Sequence, residues 1–479
     1  MRRAFVLLLA TLLCSPVIAG AQDGRATLEN VAKAMGATTL NSLQYTGSGV
    51  ILSPGQSQTP GQAWPRFNLK SLTRAVNYET ASLRDELVRT QAEDPPRGGG
   101  NQPIRGELKQ VFVVSGDHSW TVAGETAASA PRYITDLQTH LWLTPHGVIK
   151  AAMASNATVQ GRTISFARPG RFTAKVTVND RNLVDRIEAT VANPVVGDMP
   201  LEVSYADYQD FGGVKFPMKI RQSAGGFPAL DMAVTEVRVN AAVDLPVPDA
   251  VRQATNPYAK VTSQKVADGV WYLTGGSHHS VAIEMKDYLI VMEAPLSDDR
   301  ALPMLAEARK LASNKPLRYL IASHHHFDHA GGVRAAAGEG ATVISQESAR
   351  AYFERALAAP AKVSPDHLAK SGKKATVEGV RDKRVLTDGA RTVEIHHIAG
   401  SPHADSLLMV YLPKEKLLIE ADAFTPLAPN APVPTPANAT NVNLADNIAK
   451  LGLAVDQILP LHGRIVPLAE LHKIIGRTN

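Results

Sequence analysis

Four histidines and an aspartate occupy six consecutive positions of this chain, His324-His325-His326-Phe327-Asp328-His329, directly after the apolar run Leu317 to Ala322. Imidazole nitrogens and carboxylate oxygens are donors suited to zinc and similar divalent ions. In an extended or loop conformation alternate side chains point the same way, so His324 and His326 can grip one ion while Asp328 and His329 project toward a second. Gly331 and Gly332 let the backbone turn sharply and start a helix close by. A histidine-rich surface tract is the competing reading of the bare cluster, and further ligands at matching places decide between the two. The approach to the cluster reads as a βαβ unit. Tyr288 to Met292 forms a strand. A helix follows, with Ser297, Asp298 or Asp299 as its cap and Leu302, Leu305, Ala308, Leu311 and Ala312 on one face. After Asn314-Lys315-Pro316 comes the second strand. Val270 to Leu273 and Ser280 to Met285 read as strands ahead of this unit.

Before about residue 250 the pattern changes to period two, as in half-buried strands. Phe172, Ala174, Val176 and Val178 alternate with polar residues, as do Val214, Phe216, Met218 and Ile220, and Leu201, Val203 and Tyr205. Asn179-Asp180, Gly197-Asp198 and Gly212-Gly213 supply turns between the runs. Pro217 suits an edge strand, since it cannot donate to a central ladder. A short helix is expected from Ala26 to Met35, stopped by Gly36, and another from Leu141 to Ser155, interrupted near Pro145. Asp94 to Pro103 is a flexible loop by composition. His118, His140 and His146 have no ligand spacing and read as surface or packing histidines. The chain thus divides into residues 22–250, a β-rich antiparallel domain with one wet face, and residues 251–479.

A chain of 479 residues calls for two to three domains, and 44% hydrophobic with 20% charged residues excludes a mostly disordered one. Arg2 and Arg3, the apolar run Ala4 to Leu13 and Ala19-Gly20-Ala21 read as an export signal over residues 1–21, cut after Ala21. The run is too short for a spanning helix. The only cysteine, Cys14, lies inside this leader, so no metal site of the mature chain contains a thiolate. Without Arg2 and Arg3 the balance is 48 Lys+Arg against 45 Asp+Glu, too even for a nucleic-acid surface. The expectation is a periplasmic or secreted protein with a small-molecule substrate, no nucleic-acid partner and no stable membrane insertion after leader cleavage. No feature of the sequence sets the oligomeric state.

Three further ligands fall at the ends of strand-like runs, where open α/β sheets place their sites. His403 lies in the turn Gly400 to Ser406 after Val393-Glu394-Ile395, Asp422 follows Lys416 to Ala421, and His462 follows Gln457 to Leu461. The order H-x-H-x-D-H, then H, then D, then H resembles the metallo-β-lactamase fold superfamily over roughly residues 260–479. That resemblance implies an α+β chain: a C-terminal αββα sandwich with two metals at one edge, preceded by the mostly antiparallel β domain. It also implies a ligand set. His324, His326 and His403 would bind the first ion, Asp328, His329 and His462 the second, and Asp422 would bridge them. His326 stands where flavodiiron-type oxygen reductases carry glutamate, and Asp422 where cysteine-containing β-lactamases carry their thiolate. The set is closer to glyoxalase II and lactonases. Glu293 stands at a strand end where the family usually shows aspartate. His325 points away from the metals, and His278, His279, His396 and His397 either line the cleft or lie on the surface.

Two divalent cations, expected to be zinc with iron or manganese as alternatives, would share a water and lower its pKa toward neutrality. Asp328 would orient the resulting hydroxide as the catalytic group. The expected reaction is hydrolysis of an ester, thioester, lactone, amide or phosphoester, and no G-x-S-x-G elbow argues for a serine nucleophile instead. Two rival readings are a mononuclear iron persulfide dioxygenase of the same fold and a non-catalytic periplasmic binding or carrier protein. The proline-rich stretch Pro426 to Asn438 either overhangs the cleft or merely leads into a helix near Asn441 to Leu451.

Overall fold

The computed structural model describes residues 17–256 and 258–477, with backbone only for residues 17–23. Most of the expected leader, including Cys14, lies outside the described residues, and the first described helix, Val17–Met35, runs across the position of the expected cut. Among the described residues no helix is long and apolar enough to cross a membrane.

From Ser42 to Val239 the chain builds one antiparallel sheet, with 13 strands among the described residues. Its first six strands run outward in sequence order on one side and the remaining seven on the other. They join where the first strand, Ser42–Leu52, pairs with the last, Phe227–Val239. The helices Val17–Met35, Ile134–Trp142 and Pro145–Met153 cover the inner face. Val31, Met35, Leu141, Val148 and Ile149 share one core with Leu43, Val176, Ile187, Phe216 and Met232.

Local chemistry sets the helix ends. Gly36 adopts φ +71° after the first helix, and Ala37 N bonds back to Ala32 O at 2.8 Å. A Cβ at Gly36 would also collide with the Gly213 carbonyl across the core. The other helical stretch breaks at Leu143-Thr144. There Thr144 Oγ1 accepts from Gly147 N at 3.1 Å, and Pro145 takes the first helical position, where its missing N–H costs nothing. His146 is a packing residue, as expected. It is wholly buried, its Nε2 donates to Met35 O at 3.0 Å, and its ring stacks on Phe216.

Two expectations need correction. Pro217 lies in an interior strand, Val214–Ala224, rather than at an edge. The ladder to Phe227–Val239 starts only at Lys219, so at Pro217 the strand pairs on one side alone and the missing N–H leaves no gap. The segment Asp94 to Pro103 is not a free loop, because Gly98 and Gly99 are buried and bonded to Pro402 and Gln56.

From Thr262 on, the described residues form an αββα sandwich, while the helix Asp249–Arg252 before it packs on the antiparallel sheet through Val251. A seven-stranded sheet runs from Thr262–Ala267 to Thr376–Val380, and a six-stranded sheet from Lys383–Thr387 to Val466–Pro467. Ile283, Ile290, Ile321 and Ile344 of the first meet Ile395, Val410, Ile419 and Leu459 of the second in a shared core. Helices Asp298–Leu311, Val333–Glu339 and Glu347–Ala358 cover the outer face of one sheet, Ala439–Lys450 and Leu468–Ile474 that of the other. With both faces covered, the central strands Leu289–Met292, Leu408–Leu412 and Leu417–Glu420 are buried at every position, which is why they read as unbroken apolar runs. In the helix Asp298–Leu311, Leu305 and Ala308 face inward, as does Ala312 just beyond it. Ala301 and Met304 share that face, while Leu302 and Leu311 are half-buried.

Candidate metal centre

Each candidate ligand leaves the end of a strand at one edge of the sandwich. His324 follows Leu317–Ile321, and His329 lies in the helical turn Phe327–Ala330. His403 lies in the turn beyond Thr392–His397. Asp422 and His462 follow the parallel neighbours Leu417–Glu420 and Gln457–Pro460, whose register pairs Glu420 with Pro460 and so brings the two ligands side by side. Leu408 N bonds to Ser323 O at 2.7 Å, joining the edges of the two sheets at the cluster.

Two groups result. His324, His326, His403 and Asp422 offer ligand atoms all within 4.8 Å of one another, and so do His278, His329 and His462. Asp422 faces both groups. Its Oδ2 lies 2.9 Å from His403 Nε2 and 3.9 Å from His324 Nε2, and its Oδ1 lies 2.9 Å from His329 Nε2 and 3.1 Å from His462 Nε2.

The donor chemistry fits divalent cations. In four histidines an oxygen anchors one ring nitrogen and the other nitrogen faces the cluster. The anchors are Ser323 Oγ on His324 Nδ1 (3.0 Å), Ser57 O on His326 Nε2 (2.8 Å), Glu293 Oε1 on His329 Nδ1 (2.5 Å) and Ser277 O on His462 Nδ1 (2.9 Å). Such outer partners fix the ring orientation and tautomer of metal-binding histidines. The inward atoms His324 Nε2, His326 Nδ1, His403 Nε2 and Asp422 Oδ1 are buried and make no hydrogen bond, despite the short approaches to Asp422. Unpartnered buried polar atoms are costly, and four of them converging is what a cation would satisfy.

Charge agrees with this. Burial, then the neighbouring histidines, pushes His324 and His326 well below the ordinary imidazole value, so both are neutral donors. Burial opposes protonation of His329 as well, but the carboxylates of Asp422, Glu293 and Asp328 override it and hold His329 well above its ordinary value. Asp422 is held well below the usual carboxylate range, against its burial, by His329, His403 and His462. The site stabilises positive charge at its centre.

Asp328 belongs to neither compact group. Its Oδ1 accepts from Gln56 Nε2 at 2.8 Å and its Oδ2 lies 3.4 Å from His278 Nε2, beside the second group. His325 points away, both nitrogens held by the hydroxyls of Ser57 and Ser406. Glu293 bonds His329 and also accepts from Ser323 Oγ, so its longer side chain spans the root of the loop. His278, His279 and His396 are buried rather than on the surface. His279 packs against the Tyr272 hydroxyl at 2.6 Å, and His396 against Glu394. Sequence reasoning left His278 undecided, because a His-His pair after glycines has no ligand spacing. It missed Gln56 and Ser57 altogether, since nothing local marks them. The stretch Pro426 to Asn438 is held from the other half of the chain by Arg105, which donates to the carbonyls of Thr435 and Pro436.

Residues 273–462 match the family model described as the metallo-beta-lactamase superfamily, a stretch that includes all seven expected ligands and His278. None of the curated proteins compared with the chain matches it. Among solved structures, a metallo-beta-lactamase from Pontibacter korlensis aligns at 18% identity over 45% of this chain and 98% of its own, with a TM-score of 0.35. One from Hirschia baltica aligns at 19% identity over 46% of this chain and 99% of its own, with a TM-score of 0.34.

Proposed function

We propose that this chain, whose C-terminal part has the metallo-beta-lactamase fold, is a hydrolase that works with two divalent cations, zinc by preference. His324, His326, His403 and Asp422 would hold one. His329, His462 and the other oxygen of Asp422 would hold the second, with His278 and Asp328 beside it. The observation that carries this reading is the set of buried, unpartnered donor atoms facing one another across Asp422. A bound pair of this kind supplies Lewis acidity, bringing the pKa of water toward neutrality and polarising a carbonyl or phosphoryl oxygen.

The chain's own residues do the rest. Burial works against ionisation of Asp328, but His329 and a hydrogen bond from His278 keep it a carboxylate. It can therefore accept a hydrogen bond from the attacking water and orient it. Glu293 keeps His329 from rotating, and Ser57 O does the same for His326. The substrate class is an ester, thioester, lactone, amide or phosphoester of a small molecule, and the apolar stretch Pro426 to Asn438, whose Pro426 packs by Gly463 next to His462, favours a non-ionic one.

A panel of lactone, thioester, β-lactam and phosphodiester substrates given to the zinc-loaded full chain tests this. Turnover of at least one, abolished by chelation and by Asp422→Ala, is expected. No turnover by protein shown to hold both ions would remove the reading. The proposed place of action, the periplasm or outside the cell, rests on residues 1–21, and an exported product beginning at Gln22 is its test.

A further inference from the structure

Five consecutive residues of the first half, Gly55 to Thr59, bond to two of the loops that carry the histidine groups, that of His324 to His329 and that of His403. Gly55 O accepts from Phe327 N at 3.2 Å and Gln58 O from Asp405 N at 2.9 Å. Ser57 O accepts from the His326 ring at 2.8 Å, and Thr59 Oγ1 donates to Asp405 Oδ2 at 2.7 Å. Gln56 donates to Asp328 Oδ1 at 2.8 Å, while its Oε1 accepts from Gly100 N at 3.2 Å. Phe327 and Asp328 follow a strand of the seven-stranded sheet, whereas Asp405 precedes one of the six-stranded sheet. One segment from outside the sandwich therefore ties its two halves together at the site.

The direction of each bond is fixed by chemistry. A backbone carbonyl only accepts, so Ser57 O makes His326 the Nε2–H tautomer and leaves the Nδ1 lone pair free, on the atom that is buried without a partner. A backbone N–H only donates, so Gly100 must face the carbonyl oxygen of Gln56. The Gln56 amide N–H then necessarily points at Asp328, which must accept. The fit is tight. A Cβ on Gly99 would run into the Gln56 side chain and come within 3.1 Å of His326 Cε1, and one on Gly55 would collide with the Phe327 ring.

The geometry points to Gln56 and the Ser57 carbonyl as positioning residues of the metal centre, contributed by the β-rich half of the chain. This inference rests on the metal reading above. Its test is cobalt(II) titration of the full chain, followed by visible absorption and by competition with a chelator, for wild type, Gln56→Leu and Gly99→Ala. Thermal melts of the metal-free proteins accompany it. Wild type should take up two equivalents. Gln56→Leu should keep its metal-free melting point and its first ion, bind the second at least about tenfold more weakly, and show an altered cobalt spectrum. Gly99→Ala, which displaces Gln56 and crowds His326, should weaken the second ion in the same direction and disturb the first as well. Variants that bind both ions like wild type overturn the inference. So do variants that lose both ions together with the metal-free melting point, since that is a purely structural role. Wild type that binds no cobalt contradicts the hydrolase reading itself, a result separate from either.

Discussion

At Asp422 the two carboxylate oxygens face different histidine pairs, and the charge balance of the site follows from this arrangement. Glu293 tests it from one step further out. Glu293→Gln keeps the side chain's shape but removes the charge that, with Asp422, sustains the proton on His329 and fixes its ring. Metal affinity should fall by about 10 to 100-fold, the usual cost of losing such a partner, as read by chelator competition. An unchanged affinity would make Glu293 a packing residue. A second residue-scale test concerns His146, which burial lowers from its ordinary 6.5 to about 4 in the folded chain. Between those values the unfolded chain binds more protons than the folded one. The stabilisation is thus complete above pH 6.5 and is lost as pH falls toward 4, by about 3 kcal/mol at most. Urea melts at pH 7 and pH 4.5 should show this slope, and His146→Gln should reduce it. The seven candidate positions stood out because their order is distinctive; six of them meet in the two groups, and Asp328 lies beside the second. His278, Gln56 and Ser57 did not stand out, because their roles arise only when distant loops meet.

Elements were legible where period and punctuation agreed. The alternation of Phe172–Val178 and the helix stop at Gly36 both reappear in the structure. The helical stretch expected from Leu141 begins earlier, at Ile134, because the buried side of Ile134–Trp142 includes the polar Gln138 and Thr139 and hides the apolar stripe. Pro217 misled because a proline signals one missing ladder bond rather than an edge strand. Arg300 shows a buried charge holding an element in place. Wholly buried near the start of the helix Asp298–Leu311, it donates to the carbonyls of Lys260 (2.7 Å) and Thr274 (3.0 Å) just ahead of the loop that carries His278. Arg300→Leu strands those acceptors and should cost about 3 kcal/mol in urea-induced unfolding. A cost below about 1 kcal/mol would mean that the loop relaxes without the guanidinium.

At the scale of the whole molecule the β-rich half and the sandwich are joined at more than the site. Asp198 accepts from Lys362 N and Val363 N, with its own N–H on Pro360 O at 2.7 Å. Ions bound only by the folded chain add stability by mass action, about 2.7 kcal/mol at a hundredfold excess over Kd. Exhaustive chelation should therefore lower the melting temperature of the full chain, and added zinc should restore it. From the residues alone only the βαβ unit of the sandwich was legible; its layer order came with the family resemblance that the ligand order carries. The wrap of the 13-stranded sheet was not legible, because the pairing of its first strand with its last is set by closure over three helices and leaves no local mark. The most direct test of the central claim is the metal content of the purified full chain, measured by mass spectrometry against protein concentration. The account expects two equivalents of divalent transition metal per chain, falling when Asp422 is replaced by alanine. Fewer than one equivalent in wild-type protein, even after incubation with zinc, would contradict it.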